Sequence, residues 1–250
     1  MRFRRRYLIH AKHLCCMLTG LLMTSAATPA LGADIFELKE LVDEARLTLA
    51  RFVGNPNMIW LRDHIKEAKG IVIVPRWGEA GYVIAGSYGR GVFLARDEET
   101  GRWSEPAFYT FVGGSFGLQI GAKTSESLAL VMTQNGVDAM LSSTFVAGVG
   151  ATVAAGPFGG DVSGGTAPNL SADIISFANS KGAFIGLAVG GTSVFTADES
   201  NRTYYGKPVI PADILVKGEI SNSYSARIRA TADKADEGMW QIDLPPEGSR

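Results

Sequence analysis

The pattern of the chain changes at Gly70, after which short apolar segments are separated by glycine. Segments of this kind are Gly70 to Pro75, Gly81 to Ser87 and Gly91 to Ala95, and their length and composition are typical of β-strands. The chain has 30 glycines in 250 residues, well above the average share of about 7%. Because glycine inside a strand marks a bend, a bulge or a close backbone approach, the pattern predicts a strongly bent antiparallel sheet, barrel-like or sandwich-like.

The segment before Gly70 has a helical period. Apolar residues recur every three or four positions between Asp34 and Val53, which predicts one amphipathic helix. Gly54-Asn55-Pro56 ends it, and a second short helix is expected to end near Gly70. The predicted fold class is therefore α+β and β-rich, with an N-terminal helical hairpin packed on the Gly-rich sheet.

The remaining elements follow from shorter patterns. Asp97 to Gly101 and Asp198 to Asn201 are predicted to be acidic turns. Further strands are predicted at 107–112, 115–120, 127–133, 145–154, 173–177 and 183–195, and helical stretches at 136–142, 212–216 and 224–236.

Residues 1–32 are typical of a signal peptide. They begin with basic residues, and the uncharged apolar run from Leu14 to Ala27 is shorter than the roughly 20 residues that span a bilayer. Ala30-Leu31-Gly32 offers small residues for cleavage after Gly32, with an uncleaved anchor as the alternative. The prediction is an exported protein, periplasmic or envelope-associated, with secretion left open. Residues 33–216 form one predicted domain and 217–250 a polar tail, with or without folding back on the domain.

Loss of residues 1–32 restricts the available chemistry. It removes both cysteines, two of the three histidines, and five of the 24 basic but none of the 25 acidic residues, so the net charge changes from −1 to −6. A thiol-free chain has no disulfide, thiolate metal site or cysteine nucleophile. Its acidic balance argues against nucleic acid as a partner, and no cofactor or metal is implied.

Catalytic motifs find little support. His64 is the one histidine left, in a helix rich in basic residues, and no Gly-x-Ser-x-Gly motif accompanies it. The segment from Gly117 to Thr124 resembles a phosphate loop but has the wrong glycine spacing and an alanine before its lysine. Carboxylate catalysis stays open as the least favoured alternative, with these candidates: Glu105, Asp138, Asp161 and Asp173.

The N-terminal hairpin combines a broad apolar face with basic residues, which is the composition of an interfacial helix. The alternative is that this face packs on the sheet. Trp60 favours the membrane, because an indole suits the headgroup level of a bilayer. The residues predicted to bind lipid or membrane are Trp60, Arg62, Lys66, Lys69 and Arg76.

Several segments in one order resemble the SYLF family of lipid-binding domains. They are Ala68–Pro75, Gly86–Arg96, Trp103–Tyr109, Gly113–Ala122, Leu130–Thr133, Ala154–Gly159 and Lys181–Gly191, followed by Asn201–Gly206. The resemblance implies a β-rich phospholipid-binding domain, with the N-terminal helix as the membrane contact in eukaryotic members. Some members bind phosphoinositides or actin, but an exported acidic protein is not expected to meet either.

Two functions of different classes therefore stand. The first is a non-catalytic phospholipid-binding protein of the cell envelope that contacts membrane through the hairpin. The second is an interaction or scaffold protein that binds an unidentified envelope protein. The oligomeric state stays open.

Overall fold

The structure is a computed structural model that describes residues 34–81, 84–116, 121–158, 171–180, 183–186 and 191–241. Its helices are α1 (Ile35–Gly54), α2 (Ile59–His64, continued by a 3₁₀ turn Ile65–Glu67), α3 (Gln134–Leu141), α4 (Asp198–Tyr205), α5 (Pro211–Leu215) and α6 (Ala226–Asp236, preceded by a 3₁₀ turn Ser223–Ser225). Its strands are β1 (Gly70–Gly81), β2 (Ile84–Ala95), β3 (Ala107–Phe116), β4 (Gly121–Val131), β5 (Thr144–Val146), β6 (Val153–Ala155), β7 (Ile174–Ser180), β8 (Ala183–Gly186) and β9 (Ser193–Thr196).

The predicted helical hairpin is confirmed. The Asp34 side chain caps α1 by accepting a hydrogen bond from the Phe36 backbone N–H, at 3.2 Å. The helix ends at Gly54, because Pro56 disfavours a helical conformation at the residue before it. Asn55 accordingly has extended backbone angles, and the chain turns into α2.

The predicted α+β class with a strongly curled, mainly antiparallel sheet is also confirmed. Within the described residues the strand order is β5-β9-β3-β2-β1-β4-β7-β6, and β8 pairs with the C-terminal part of β7, residues 177–180. All pairs are antiparallel except β6 with β7.

The prediction of separate strands at 81–87 and 91–95 is wrong, because residues 84–87 and 91–95 both belong to β2, whereas Gly81 ends β1. The reason is a bulge in β1, where the register shifts between Ile73 and Arg76, around Pro75. A Cβ on Gly91 would lie 2.4 Å from the Ile73 carbonyl oxygen, so glycine here permits close approach of two strands. The glycines mark a continuous strand that passes a bulge.

The sheet is buried on both faces near Gly70, which explains why its strands are continuous apolar runs. On one face, Ile71 and Ile73 pack with α1, α2, α4 and α6. On the other face, Val72 and Val74 pack with α3 and α5. The first face is called the helical face and the second the inner face below.

The predicted turn at Asp97 to Gly101 is confirmed, and Gly101 has φ +70°. The predicted turn at Asp198 to Asn201 is wrong, because these residues begin α4. Asn201 is fully buried there and bonds to β3: its Oδ1 accepts from the Phe108 N–H at 2.8 Å, and its Nδ2 donates to the Phe108 carbonyl at 3.3 Å. The predicted helix at 224–236 is confirmed as α6, which packs on α1.

Candidate functional site

The apolar stripe of the hairpin lies against the sheet. Leu38, Leu49, Phe52, Met58 and Leu61 are fully buried in the cluster on the helical face. Burial of this stripe accounts for the amphipathic pattern of the hairpin by core packing. Any contact of the hairpin with another surface is therefore made by side chains outside the stripe.

Trp60 and Arg62 of the predicted set are half-buried and engaged within the chain. The Trp60 ring stacks on His64 with centroids 4.1 Å apart and lies 6.1 Å from the Phe177 ring. Arg62 donates from Nε to the Val53 carbonyl at 2.8 Å, and its guanidinium lies over the Trp240 ring. Both side chains hold α2 against its neighbours.

The other three predicted residues differ in their surroundings. Lys66 is exposed, and its carbonyl accepts a hydrogen bond from Arg96 at 2.6 Å. Lys69 pairs with Glu98 across the surface. Arg76 lies apart from this group, on β1 beside the N-terminal half of α1. The structure thus brings four of the predicted residues together around α2 and separates Arg76 from them.

Ion pairs join α1 to the strands along its length. Arg76 pairs with Glu44 and Glu40, and the hydrogen bond to Glu44 raises the pKa of Arg76 above its usual value. One turn before Gly54, Arg51 pairs with Glu126 of β4, with Nε 3.1 Å from Oε2. Glu126 also accepts from Asn179 of β7, at 3.1 Å. Polar contacts as well as apolar ones therefore hold α1 on the sheet.

Beyond the edge of α1, the helical face carries a group of exposed apolar side chains, named here the uncovered face. The exposed fractions are 54% for Tyr88, 42% for Val112, 38% for Val146 and 40% for Phe195. Sequence analysis did not find this group, because its members lie far apart in the chain. The one local signal is the alternation of Tyr88 and Arg90 with glycine, which places both side chains on one face.

The strand register shows that these side chains share a face. Tyr88 is paired with Val112, and Val112 with Ser193, which in turn faces Val146 on β5. Directly opposed residues in an antiparallel pair project to the same side. Phe195 lies two residues after Ser193 on β9 and so projects to the same side. Tyr88, Val112, Val146 and Phe195 therefore form one patch across β2, β3, β5 and β9.

Two arginines and the start of α1 border the uncovered face. Arg76 and Arg90 oppose one another in the neighbouring row of the sheet. Arg90 lies 3.7 Å from Glu37, which places the first turn of α1 near this row. In that turn the Phe36 side chain is 73% exposed.

The inner face holds a small apolar cavity of about 40 Å³ between Val74, Trp77, Phe111 and Met140. This volume is far below the roughly 300–1,000 Å³ that is usual for sites of small ligands, so the cavity gives no support to an internal acyl site.

The candidate catalytic carboxylates differ in environment. Asp173 accepts hydrogen bonds from Thr133, from the Thr152 N–H and hydroxyl at 2.8 and 2.7 Å, and from Asn135 at 3.1 Å. These bonds, led by that from Thr133, lower the pKa of Asp173 to about 2. Asp173 joins the start of α3 to the segment before β6. Asp138 accepts from Gln134 on the surface, Glu105 is buried, and Asp161 lies outside the described residues.

Two further observations concern metal sites and membrane-spanning helices. In the part of the chain that the structure describes, no group of three or more His, Cys, Asp or Glu side chains is arranged to hold a metal ion. No helix among the same residues has the length and apolar character needed to cross a membrane.

Comparison with known proteins identifies the family. The Ysc84 family model, described as "Las17-binding protein actin regulator", matches residues 112–234. LAS seventeen-binding protein 3 of Saccharomyces cerevisiae is 30% identical over 192 residues, which cover 73% of this chain and 41% of that protein. The chain is a member of the SYLF domain family.

This SYLF protein also resembles animal relatives. SH3 domain-containing YSC84-like protein 1 of Rattus norvegicus is 29% identical over 214 residues, which cover 78% of this chain and 62% of the relative. The Homo sapiens protein of that name is 30% identical over 163 residues, covering 65% and 47%. The SYLF chain thus spans less than two thirds of the length of each. The family description and the name of its yeast member are those of binding proteins.

Proposed function

We propose that this SYLF protein is a non-catalytic lipid-binding module of the cell envelope that contacts phospholipid membranes through the uncovered face. The observation that carries the proposal is the patch of four exposed apolar side chains on one sheet face. Contiguous exposed apolar surface marks interaction sites. Tyr88 and Phe195 supply aromatic rings, and the tyrosine hydroxyl suits the headgroup level of a bilayer.

The expected contact is weak and reversible. Full burial of a large apolar side chain is favourable by about 1.5–3 kcal/mol, and these side chains are already about half-buried. Each therefore contributes on the order of 1 kcal/mol on insertion. Arg76 and Arg90 already face Glu44 and Glu37, so we expect anionic lipid to strengthen binding only slightly.

Vesicle co-sedimentation tests this proposal with phosphatidylcholine vesicles containing a fifth of phosphatidylglycerol. The Val112→Ser/Phe195→Ser double variant is expected to bind about tenfold or more weakly, because it loses about 2 kcal/mol of insertion. Ile210→Ser is the control, since Ile210 is 57% exposed and directly precedes α5, which packs on the inner face of the sheet. Equal binding by both variants and the wild type refutes the assignment of the uncovered face.

The hairpin set of Trp60, Arg62, Lys66 and Lys69 is the second candidate surface. Lys66 is its exposed member, and the neighbouring Ile59 is 46% exposed. Ile59→Ser/Lys66→Ser therefore tests the hairpin without removing a core side chain. A loss of vesicle binding in this variant alone moves the contact from the uncovered face to the hairpin.

Binding of a protein partner is the alternative function, and the names of the family and of its yeast member support it. We propose the same uncovered face for such a partner. The protein-binding function is favoured if wild-type protein fails to sediment with vesicles while Val112→Ser/Phe195→Ser abolishes co-purification of one defined protein.

Export is part of the proposal and rests on residues 1–32. Intact-mass measurement of the protein recovered from its cells is expected to give a chain that begins at Ala33. A mass that includes residues 1–32 contradicts cleavage.

A further inference from the structure

A second cleft lies away from the uncovered face. It is formed by the connection between β2 and β3, by α5 with the loop after it, and by α6. Its volume is about 440 Å³, within the range of about 300–1,000 Å³ that is usual for sites of small ligands. Trp103, Glu105 and Arg229 are among the residues that line this cleft.

The wall of this cleft contains buried polar atoms that have no hydrogen-bond partner among the described residues. They are both carboxylate oxygens of Glu105, Nε1 of Trp103 and Nε of Arg229. The exposed fraction is 4% for Glu105 and 3% for Trp103. Arg229 Nη2 lies 3.2 Å from Glu105 Oε1, so the carboxylate has an opposite charge beside it but no hydrogen bond.

Such an arrangement is costly without a ligand. Leaving a buried donor or acceptor unpaired is unfavourable, and more so for a charged group. More than half of the unpaired buried side-chain atoms in the described part of the chain belong to these three residues. Their concentration in one cleft distinguishes it from the rest of the surface.

The chemistry of these atoms restricts the ligand. A carboxylate only accepts hydrogen bonds, whereas an indole N–H and a guanidinium N–H only donate. A simple cation would leave the Trp103 and Arg229 donors unpaired, and a simple anion would face the charge of Glu105. A ligand that carries a donor cation next to an acceptor anion pairs with all of them.

We propose that this cleft binds a zwitterion in which a primary ammonium group stands close to a phosphate or carboxylate. In this arrangement the ammonium donates hydrogen bonds to the Glu105 carboxylate. The oxyanion accepts hydrogen bonds from Trp103 Nε1 and Arg229 Nε. An ethanolamine phospholipid headgroup and a soluble molecule of the same chemistry are the two sources. Ile214, Val216 and Ile220 line the same cleft and provide apolar contact for the rest of the ligand. The site is independent of the uncovered face.

Calorimetric titration of the full chain with O-phosphoethanolamine and with phosphocholine tests the proposal. Both probes carry a phosphate and a positively charged nitrogen. The nitrogen of phosphocholine bears three methyl groups and therefore has no N–H donor. Phosphoethanolamine is expected to bind at least tenfold more tightly. Equal affinity for the two probes, or no binding of phosphoethanolamine, overturns the proposal.

Substitutions in the cleft distinguish a loss of ligand binding from a general loss of stability. Glu105→Gln keeps the shape but removes the charge, and Trp103→Phe keeps the ring plane but removes the donor. Each is expected to weaken phosphoethanolamine binding at least fivefold, whereas Glu99→Gln, in the adjacent exposed turn, leaves it unchanged. Wild-type affinity in folded Glu105→Gln refutes the role of the carboxylate. If that variant does not fold, Trp103→Phe decides.

Vesicles identify the source of the zwitterion. Stronger sedimentation with phosphatidylethanolamine than with phosphatidylcholine vesicles, lost in Glu105→Gln, assigns the lipid headgroup. Binding of soluble phosphoethanolamine without this preference assigns a soluble ligand. Since Val112→Ser/Phe195→Ser leaves the cleft intact, failure of the uncovered face and failure of the cleft are distinguishable.

Discussion

Replacing Gly91 by alanine tests the explanation of the strand glycines. The added Cβ would lie 2.4 Å from the Ile73 carbonyl oxygen and 2.9 Å from Val74 Cγ2. The first contact is with backbone at the β1 bulge, so β1 and β2 must separate. Overpacking of this kind costs typically 1–3 kcal/mol, and the lower backbone entropy of the unfolded alanine variant offsets about 0.5–1 kcal/mol. We expect a net loss of about 1 kcal/mol.

Urea unfolding followed by circular dichroism measures this loss, and thermal unfolding should show a Tm lower by roughly 2–4 °C. Gly86→Ala is the matched control on the same strand, because a Cβ at Gly86 would meet no atom within 4 Å. Neither glycine has a positive φ, so the two variants differ in packing and not in backbone strain. The explanation fails if Gly91→Ala is as stable as Gly86→Ala with an unchanged m value.

Two further changes test single polar groups. The Asp173 pKa is lowered from 3.8 to about 2, so its contribution is present above pH 3.8 and is lost as the pH falls toward 2. Asp173→Asn should cost about 1–2 kcal/mol at pH 7 and nothing near pH 2 in pH-dependent urea unfolding; a pH-independent difference contradicts this role. Asn201→Ala should cost about 1–3 kcal/mol, because the Phe108 N–H loses its partner, whereas Arg202→Ala on the exposed side of α4 should leave the Tm nearly unchanged. Equal melting of these two variants refutes the bridge between α4 and β3.

Several of the segments that resemble the family have structural roles in this fold. In Gly86–Arg96, Gly89 and Gly91 allow β2 to pass the bulge of β1. In Asn201–Gly206, Asn201 bonds to β3, and the Tyr205 hydroxyl donates to the Pro106 carbonyl at 2.7 Å. The resemblance therefore reports the architecture more directly than it reports a binding site.

Local patterns predicted the elements that depend on neighbours in sequence. The period of α1 and the stop at Gly54-Asn55-Pro56 are both local, as is the turn at Asp97 to Gly101. The prediction at Asp198 to Asn201 was wrong because the acidic residues begin α4, whose place is fixed by the long-range bond from Asn201 to Phe108. The five residues predicted to bind lipid were only partly brought together, because Arg76 lies on a strand and pairs with α1.

The sequence by itself determined the family, the α+β class, the hairpin and the thiol-free chemistry of the chain after residue 32. Each follows from residue types, short-range periods or ordered segments. The uncovered face and the Glu105 cleft were decided by tertiary structure, because Tyr88 meets Val112 through strand register and Glu105 meets Arg229 across 124 positions of the chain. Which apolar side chains stay exposed, and which buried charge lacks a hydrogen bond, depends on how sheet and helices pack and has no signature in local pattern.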